Sequence, residues 1–331
     1  MKNLQTVLIT GVAGFIGSHL SEKLLKNGYR VIGLDNFDSF YSRSLKTQNL
    51  HNSYLYPHFQ FFELDITDKK SLYHLPKFDI VIHLAAKAGV RPSIKNPSAY
   101  IQTNIQGTNN LLELMKERLC YKMLFASSSS IYGNSKSFPF SESLFVGEPI
   151  SPYAFTKRSN ELMNYTYHSL YKMDIINLRF FTAYGPRQRP DLAIHKFVHK
   201  IKNGKVIEMY GDGTSARDYT YVEDIVEGIC RAMLYLEEHN NVYEIINLGN
   251  NHSICLSEMI KTISEVVNED VSIKQIEMQA GDVDITCADI TKAKTLLGYQ
   301  PKISFKKGIK KFVRWYEDTF VEYQLKNKTP Y

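Results

Sequence analysis

Tyr153 and Lys157 stand one helical turn apart in the run Ser151-Pro-Tyr-Ala-Phe-Thr-Lys157, so both lie on one face of a helix opened by Ser151 and Pro152. A phenol with an ordinary pKa of about 10 is a poor base at neutral pH. An ammonium one turn away favours the phenolate, which makes the pair a candidate proton acceptor and donor for a substrate hydroxyl. Tyr-x-x-x-Lys is a common accident in a chain with 22 tyrosines, so its weight rests on its company. Upstream, the apolar run Tyr121 to Ser127 ends in Ser127, Ser128, Ser129 and Ser130, with Ile131, Tyr132 and Gly133 after them. A strand of a parallel sheet that ends in hydroxyls presents them at the carboxyl edge, where such sheets bind ligands.

A second group of residues suits a dinucleotide. Gly11, Gly14 and Gly17 follow the apolar run Val7 to Thr10 and precede an amphipathic stretch, the strand–turn–helix setting a pyrophosphate loop requires. The spacing Gly-x-x-Gly-x-x-Gly serves the same ends as Gly-x-Gly-x-x-Gly: a tight turn, close backbone approach and close helix packing. Phe15 and Ile16 begin the helix. Asp35 closes the next apolar run, beside Asn36, where an acid can hold both adenosine ribose hydroxyls and repel a 2′-phosphate; this favours NAD over NADP. Asp65 and Ile66 follow a third run and would flank the adenine, although Asp65 reads equally well as a turn or cap residue.

These residues need a scaffold that brings strand ends together. Runs at 7–10, 29–35, 59–64, 78–85, 121–127 and 174–181 read as strands, and 14–26, 100–119 and 153–171 as helices between them. Continuous apolar strands alternating with helices predict an α/β fold with a doubly wound parallel sheet buried on both faces. Beyond about residue 183, loops lengthen around Gly185-Pro186 and Gly211-Asp-Gly213, and short strands such as 243–248 appear. The pattern predicts a first domain over 1–183 and a smaller mixed substrate lobe over 184–331, interwoven with it.

Composition excludes several other classes. The 331 residues are 44% hydrophobic and 22% charged, as in ordinary globular proteins. The net charge of +6 is dispersed among 34 acids and forms no basic stripe, which argues against nucleic acid and for an anionic small substrate. No run nears the roughly 18 uninterrupted apolar residues of a membrane span, and Met1 to Thr6 carries no leader pattern, so a cytoplasmic protein with no membrane partner is expected. Cys120, Cys230, Cys255 and Cys287 are scattered without metal-ligand spacing; no metal is expected, and four reduced thiols are.

Taken in order, the glycine loop, Asp35, His83-Leu84-Ala85-Ala86, Ser-Ser-x-x-x-Tyr-Gly and Tyr-x-x-x-Lys resemble the extended short-chain dehydrogenases (a Rossmann fold). More narrowly, the chain is similar over almost its whole length to the nucleotide-sugar epimerases and dehydratases; Arg217-Asp-Tyr, Gly281-Asp282-Val and Leu297-Gly-Tyr-x-Pro301 also fit. The resemblance implies Ser128, Tyr153 and Lys157 as catalytic residues. It implies that Leu84, Ala85, Ala86, Lys87 and Asn104 touch NAD. It places Tyr210 against the uracil and gives Arg217 and Asp282 the uridine diphosphate. Tyr210 as core, and Arg217 with Asp218 as a surface ion pair, are alternatives. Relatives often carry arginine where Gln279 stands, a departure that bears on the diphosphate contacts.

The resemblance also narrows the reaction. Relatives that eliminate water carry Asp-Glu at the positions of Ser129 and Ser130, and those that lose CO₂ carry Glu at Ser130. Neither carboxylate is present here, which leaves C4 epimerisation of a UDP-sugar. The segments 181–191 and 277–283 look most like UDP-glucuronate 4-epimerases. That likeness implies a sugar carboxylate held by Ser127, Ser128, Ser129 and Thr182, with Arg91, Arg189 or Arg187 nearby. UDP-glucose or UDP-N-acetylglucosamine epimerisation, and net nucleotide-sugar reduction, are the alternatives. A homodimer built on the helices at 100–119 and 153–171 is expected by the same likeness.

Overall fold

The computed structural model describes residues 4–277 and 284–320. Its centre is one sheet of β1 (Thr6–Thr10), β2 (Arg30–Asp35), β3 (Phe59–Glu63), β4 (Ile80–His83), β5 (Lys122–Ser128) and β6 (Asp174–Phe180). The smaller elements that follow are β7 (Thr182–Tyr184), β8 (Ile207–Tyr210), β9 (Ala216–Tyr221), β10 (Tyr243–Leu248), β11 (Ser253–Cys255) and β12 (Ile273–Ile276). The large sheet has seven strands in the order β10-β6-β5-β4-β1-β2-β3. Every neighbouring pair in it runs parallel. Alternate residues serve opposite faces: Val7, Ile9, Ile80 and Ile82 enter one apolar core, Leu8, Val81, Met123 and Phe125 the other. A sheet covered on both sides follows from this double burial.

The strand order reverses between β1 and β4, so the connections leave in opposite directions there and open a crevice beyond the carboxyl ends. One strand departs from the expected layout. Tyr243–Leu248, read as part of the small lobe, lies along β6 in parallel register and extends the large sheet. The lobe itself holds a three-stranded sheet, β11-β9-β7, and the pair β12-β8. The helix expected over 100–119 is broken into Pro97–Tyr100, a π-helical stretch Ile101–Gln106, and Gly107–Glu117.

The helix Pro152–Tyr171 inverts the usual polarity. Its buried face carries Thr156, Lys157, Asn160, Glu161 and Asn164. Its exposed face carries Phe155, Leu162, Tyr165 and Leu170. Asn164 Nδ2 donates to Asn177 Oδ1 on β6 at 2.7 Å, so this helix meets the sheet through hydrogen bonds more than through apolar packing. Among the described residues, no helix is long and apolar enough to cross a membrane.

Candidate active site

The crevice at the switch point is a continuous cleft of about 680 Å³ that runs from the glycine loop past the ends of β4 and β5 to Thr182 and Arg217. At its floor, Gly11 adopts φ +74°, and a Cβ there would meet Ala85 N at 2.8 Å. A Cβ on Gly17 would lie 2.2 Å from Gly11 O. Only glycines permit this close approach of loop, helix and β4. The helix Phe15–Lys26 starts at Gly14 with no side-chain cap, and Gly14, Phe15, Ile16 and Gly17 border the cleft. Uncapped N–H groups at a helix start are donors suited to a phosphate.

Asp35 closes β2 against this loop. Its carboxylate accepts from Ala13 N at 3.1 Å and Phe37 N at 2.9 Å, while burial pushes its pKa up. Asn36 also borders the cleft, and its Nδ2 donates to Asp65 Oδ2 at 2.7 Å. Asp65 itself is a turn residue whose other oxygen takes Thr67 N and Oγ1, at 2.8 and 2.7 Å; Ile66 borders the cleft and Asp65 does not. Two residues absent from the sequence reading stand beside Asp35. Tyr41 and the buried Lys46 border the cleft, with Lys46 Nζ 4.7 Å over the Tyr41 ring. No motif marks them; a loop folded back onto the cleft brings them there.

Leu84, Ala85, Ala86 and Lys87 continue the wall beyond β4. Lys87 Nζ pairs with Asp38 Oδ2 at 2.7 Å. Asn104 lies behind this wall in the π-helical stretch, where its Oδ1 accepts from Lys87 N at 2.8 Å and its Nδ2 donates to Lys87 O and Thr156 Oγ1, each at 3.0 Å. The wider π turn frees the Asn104 carbonyl to accept from Asn160 Nδ2 at 2.9 Å and Thr108 Oγ1 at 2.6 Å. Asn104 thereby ties the cleft wall to the Tyr153 helix.

Ser151 caps that helix by accepting from Ala154 N at 3.1 Å, which fixes the register that turns Tyr153 and Lys157 to the cleft. Tyr153 and Ser128 both border the cleft, and the Ser128 hydroxyl is close enough to act on the phenol. Burial raises the Tyr153 pKa, opposed by the Ser128 hydroxyl and the Arg189 charge. Arg189 is thus one charge acting on the phenol; Lys157 Nζ lies 6.0 Å from the ring centre rather than against the hydroxyl. Lys157 Nζ instead donates to Ala126 O at 2.6 Å, and burial brings its pKa down to about 7. Ser127, Ser128, Ser129, Ser130 and Thr182 all border the cleft. The Ser127 hydroxyl, however, points to the buried Glu161, donating to Oε1 at 2.6 Å. Ser130 Oγ and Tyr41 Oη are buried without a hydrogen-bond partner among the described residues. Orphaned hydroxyls that border a cleft mark where a bound molecule would supply the partner.

The arginines divide. Arg189 borders the cleft, held by Asp191 through two bonds of 2.8 and 2.7 Å and lying 5.0 Å over the Phe40 ring. Arg187 pairs with Glu22 at 2.7 Å, away from the residues that border the cleft. Arg217 borders it, while Asp218 is no surface partner: it is buried and accepts the N–H groups of Asn250, Asn251 and Ala288. Arg91 and Tyr210 stack on each other at 4.9 Å, beyond the cleft walls. Asp282 and Gln279 lie outside the described residues.

A doubly wound sheet carrying a glycine loop, an acid after β2 and a Ser–Tyr–Lys set at its carboxyl edge is the architecture of an extended short-chain dehydrogenase/reductase. Residues 8–312 match the family model described as GDP-mannose 4,6 dehydratase. The chain is 44% identical to a UDP-glucuronate 4-epimerase of Thermodesulfobacterium geofontis, over 93% of this chain and 95% of that one. It superposes on the UDP-glucuronic acid 4-epimerase of Bacillus cereus, solved with UDP-glucuronic acid and NAD, with a TM-score of 0.89 at 37% identity, covering 95% and 99% of the two chains. The UDP-glucose 4-epimerase of Thermotoga maritima follows at a TM-score of 0.87 and 33% identity, covering 96% and 100%. The chain belongs to the nucleotide-sugar epimerase and dehydratase family.

Proposed function

We propose that this protein is an NAD-dependent UDP-glucuronate 4-epimerase, interconverting UDP-glucuronate and UDP-galacturonate through a 4-keto sugar. The observation that carries the reading is the hydroxyl set at the end of β5: Ser128 stands by the Tyr153 phenol, and Ser129 and Ser130 border the cleft where, by the family resemblance, elimination or decarboxylation would call for carboxylates. The likeness to the Bacillus cereus and Thermodesulfobacterium geofontis epimerases supports the choice of sugar.

The cleft fits NAD. Its glycine floor leaves no room for side chains, the helix start beside it is uncapped, and the Tyr41 hydroxyl there lacks a partner. Gly11, Gly14, Phe15, Ile16 and Gly17 would hold the diphosphate, Asp35 and Asn36 the adenosine ribose. Ile66, with Asp65 behind it, and the wall from Leu84 to Lys87, braced by Asn104, would hold the rings. When bound, NAD supplies the acceptor and donor of hydride at C4. Tyr153 removes the proton of the 4-hydroxyl and gives it back to the same oxygen, with Ser128 holding that oxygen. Lys157, anchored on Ala126, holds positive charge beside the phenol.

A 4-ketone is β to the C6 carboxylate and loses CO₂ readily when the C5–C6 bond overlaps the carbonyl π system. Ser129, Ser130 and Thr182, short hydroxyls that donate hydrogen bonds but are far weaker acids and bases than a carboxyl group, hold the carboxylate so that this bond stays near the carbonyl plane. Arg189 and Arg217, with Arg91, Tyr210 and Asp282, serve the carboxylate and the UDP moiety. Residues 1–183 carry NAD, the chemistry and the hydroxyls that meet the sugar, and 184–331 form the lobe that completes the nucleotide-sugar site. The protein works in the cytoplasm as a homodimer, joined through Phe155, Leu162 and Tyr165, which the helix Pro152–Tyr171 turns outward, and through Ile101 beside it.

Separate incubation with UDP-glucuronate, UDP-glucose and UDP-N-acetylglucosamine, with products resolved by anion exchange, tests the assignment. UDP-galacturonate from the first alone is expected. Turnover of UDP-glucose with UDP-glucuronate untouched would replace the substrate and leave only the epimerase.

A further inference from the structure

Ser127 and Ser128 are consecutive on β5, so their side chains serve opposite faces of the sheet. Ser128 meets Tyr153, whereas the Ser127 hydroxyl donates to Glu161 Oε1 at 2.6 Å. Glu161 is fully buried on the helix that carries Tyr153, one turn beyond Lys157. The same carboxylate accepts from Arg179 Nε and Nη2, both at 2.9 Å, and from Arg158 Nη1 at 3.1 Å. Arg179 is the register neighbour of Ser127 on β6, and it too is buried. Its Nη1 donates to Tyr132 Oη at 2.9 Å, and Tyr132 donates to Asn247 Oδ1 at 2.7 Å. Tyr132 ends the short turn that Ser128 caps by accepting from Ser130 N at 3.2 Å. Ser128 is therefore fixed on both sides by one ion pair: through Ser127 before it and through Tyr132 after it.

We propose that Ser127, Glu161 and Arg179 form a buried brace that sets the Ser128 hydroxyl against the Tyr153 phenol, which makes Ser127 and Glu161 positioning residues for the proposed epimerisation rather than substrate ligands. A buried ion pair is a poor source of stability, since well-packed apolar side chains of the same volume hold a fold as well or better. What the pair provides here is direction. Its rigid fork fixes a strand end and a helix relative to each other, across the gap where proton transfer takes place. The negative charge of Glu161 also opposes the fall in the Lys157 pKa, so the brace acts on two members of the catalytic set.

Ser127→Ala tests this without unpairing Glu161 and Arg179, so the fold is kept. On UDP-glucuronate, kcat is expected to fall about 10- to 100-fold, the effect of misplacing a reacting group by a fraction of an ångström. KM should stay within about threefold, the sign of an interaction that matters only in the transition state. Ser127→Thr, which keeps the hydroxyl, should restore kcat. A second readout needs no turnover. The ultraviolet titration of the protein, minus that of its Tyr153→Phe variant, reports the Tyr153 phenol alone. Its midpoint should rise in Ser127→Ala as the hold of Ser128 on the phenol weakens, because Lys157, Arg189 and Tyr100, the other groups facing the phenol, are untouched. An unchanged kcat and midpoint would overturn the brace. So would a KM raised more than about tenfold at unchanged kcat, which would make Ser127 a substrate contact. Wild type that ignores UDP-glucuronate contradicts the proposed substrate, and the brace is then judged on the Tyr153 midpoint.

Discussion

His83 Nδ1 lies 2.6 Å from Thr10 Oγ1, a side-chain link between β1 and β4 directly beneath the cleft. On its other side, Nε2 lies 2.9 Å from Thr108 Oγ1, the hydroxyl that donates to the Asn104 carbonyl. The ring is fully enclosed, and burial, aided by the Lys157 charge, brings its pKa down to about 3. The imidazole is neutral in the folded protein and protonates freely in the unfolded chain at about 6.5. Unfolding therefore takes up a proton between these values, and the stability His83 provides is lost as pH falls from about 6.5 toward 3. Between pH 8 and pH 5 this amounts to about 2 kcal/mol. Denaturant melts at the two pH values should show that His83→Gln loses about 2 kcal/mol less over this interval than wild type does. Parallel losses in the two proteins would show that His83 is not buried neutral.

Tyr153→Phe should retain bound NAD and lose epimerisation by about 10²- to 10⁴-fold, the usual contribution of a positioned acid–base group. Turnover within a few-fold of wild type, measured on protein with its cofactor confirmed by absorbance, would remove the phenol from the chemistry.

Much of this site is legible in the sequence because its parts are local. Glycine spacing, a cap before a helix, and continuous apolar runs each declare themselves within a few residues, and β1 to β6 fall within about two residues of the runs that announce them. β10 is legible as a strand, whereas its partner, β6, is set by tertiary packing; periodicity reveals a strand but not its neighbour. The helix Pro152–Tyr171 misleads in another way. Phe155, Leu162, Tyr165 and Leu170 face outward while Lys157, Asn160, Glu161 and Asn164 face the sheet, the reverse of the pattern an amphipathic helix presents. The role of Ser127 was within reach: a strand's period of two separates it from Ser128. Nothing in the sequence signals the π turn around Asn104, or the return of Tyr41 and Lys46 to the cleft.

Asp35→Asn keeps an acceptor for one of the Ala13 and Phe37 amides, which bond different oxygens, and removes the charge that repels a 2′-phosphate. Affinity for NADP relative to NAD, measured on apo-protein, should rise about tenfold, the equivalent of roughly 1.4 kcal/mol. An unchanged ratio would place cofactor selection elsewhere, with Lys46 the next residue to test.

Leu162→Arg places a charge in the outward apolar stripe of the helix Pro152–Tyr171. Light scattering after gel filtration should give twice the chain mass for wild type and the single chain mass for the variant. A wild-type monomer would leave the stripe without the proposed partner.

In the proposed reaction, C4 of UDP-glucuronate is oxidised and re-reduced by one tightly held NAD. UDP-glucuronate deuterated at C4 tests it most directly, incubated with purified protein and no added cofactor. UDP-galacturonate that retains deuterium at C4, without deuterium in the solvent, is the predicted result. Deuterium lost from C4, or turnover that requires added NAD in proportion to product, would rule out hydride return from a resident cofactor.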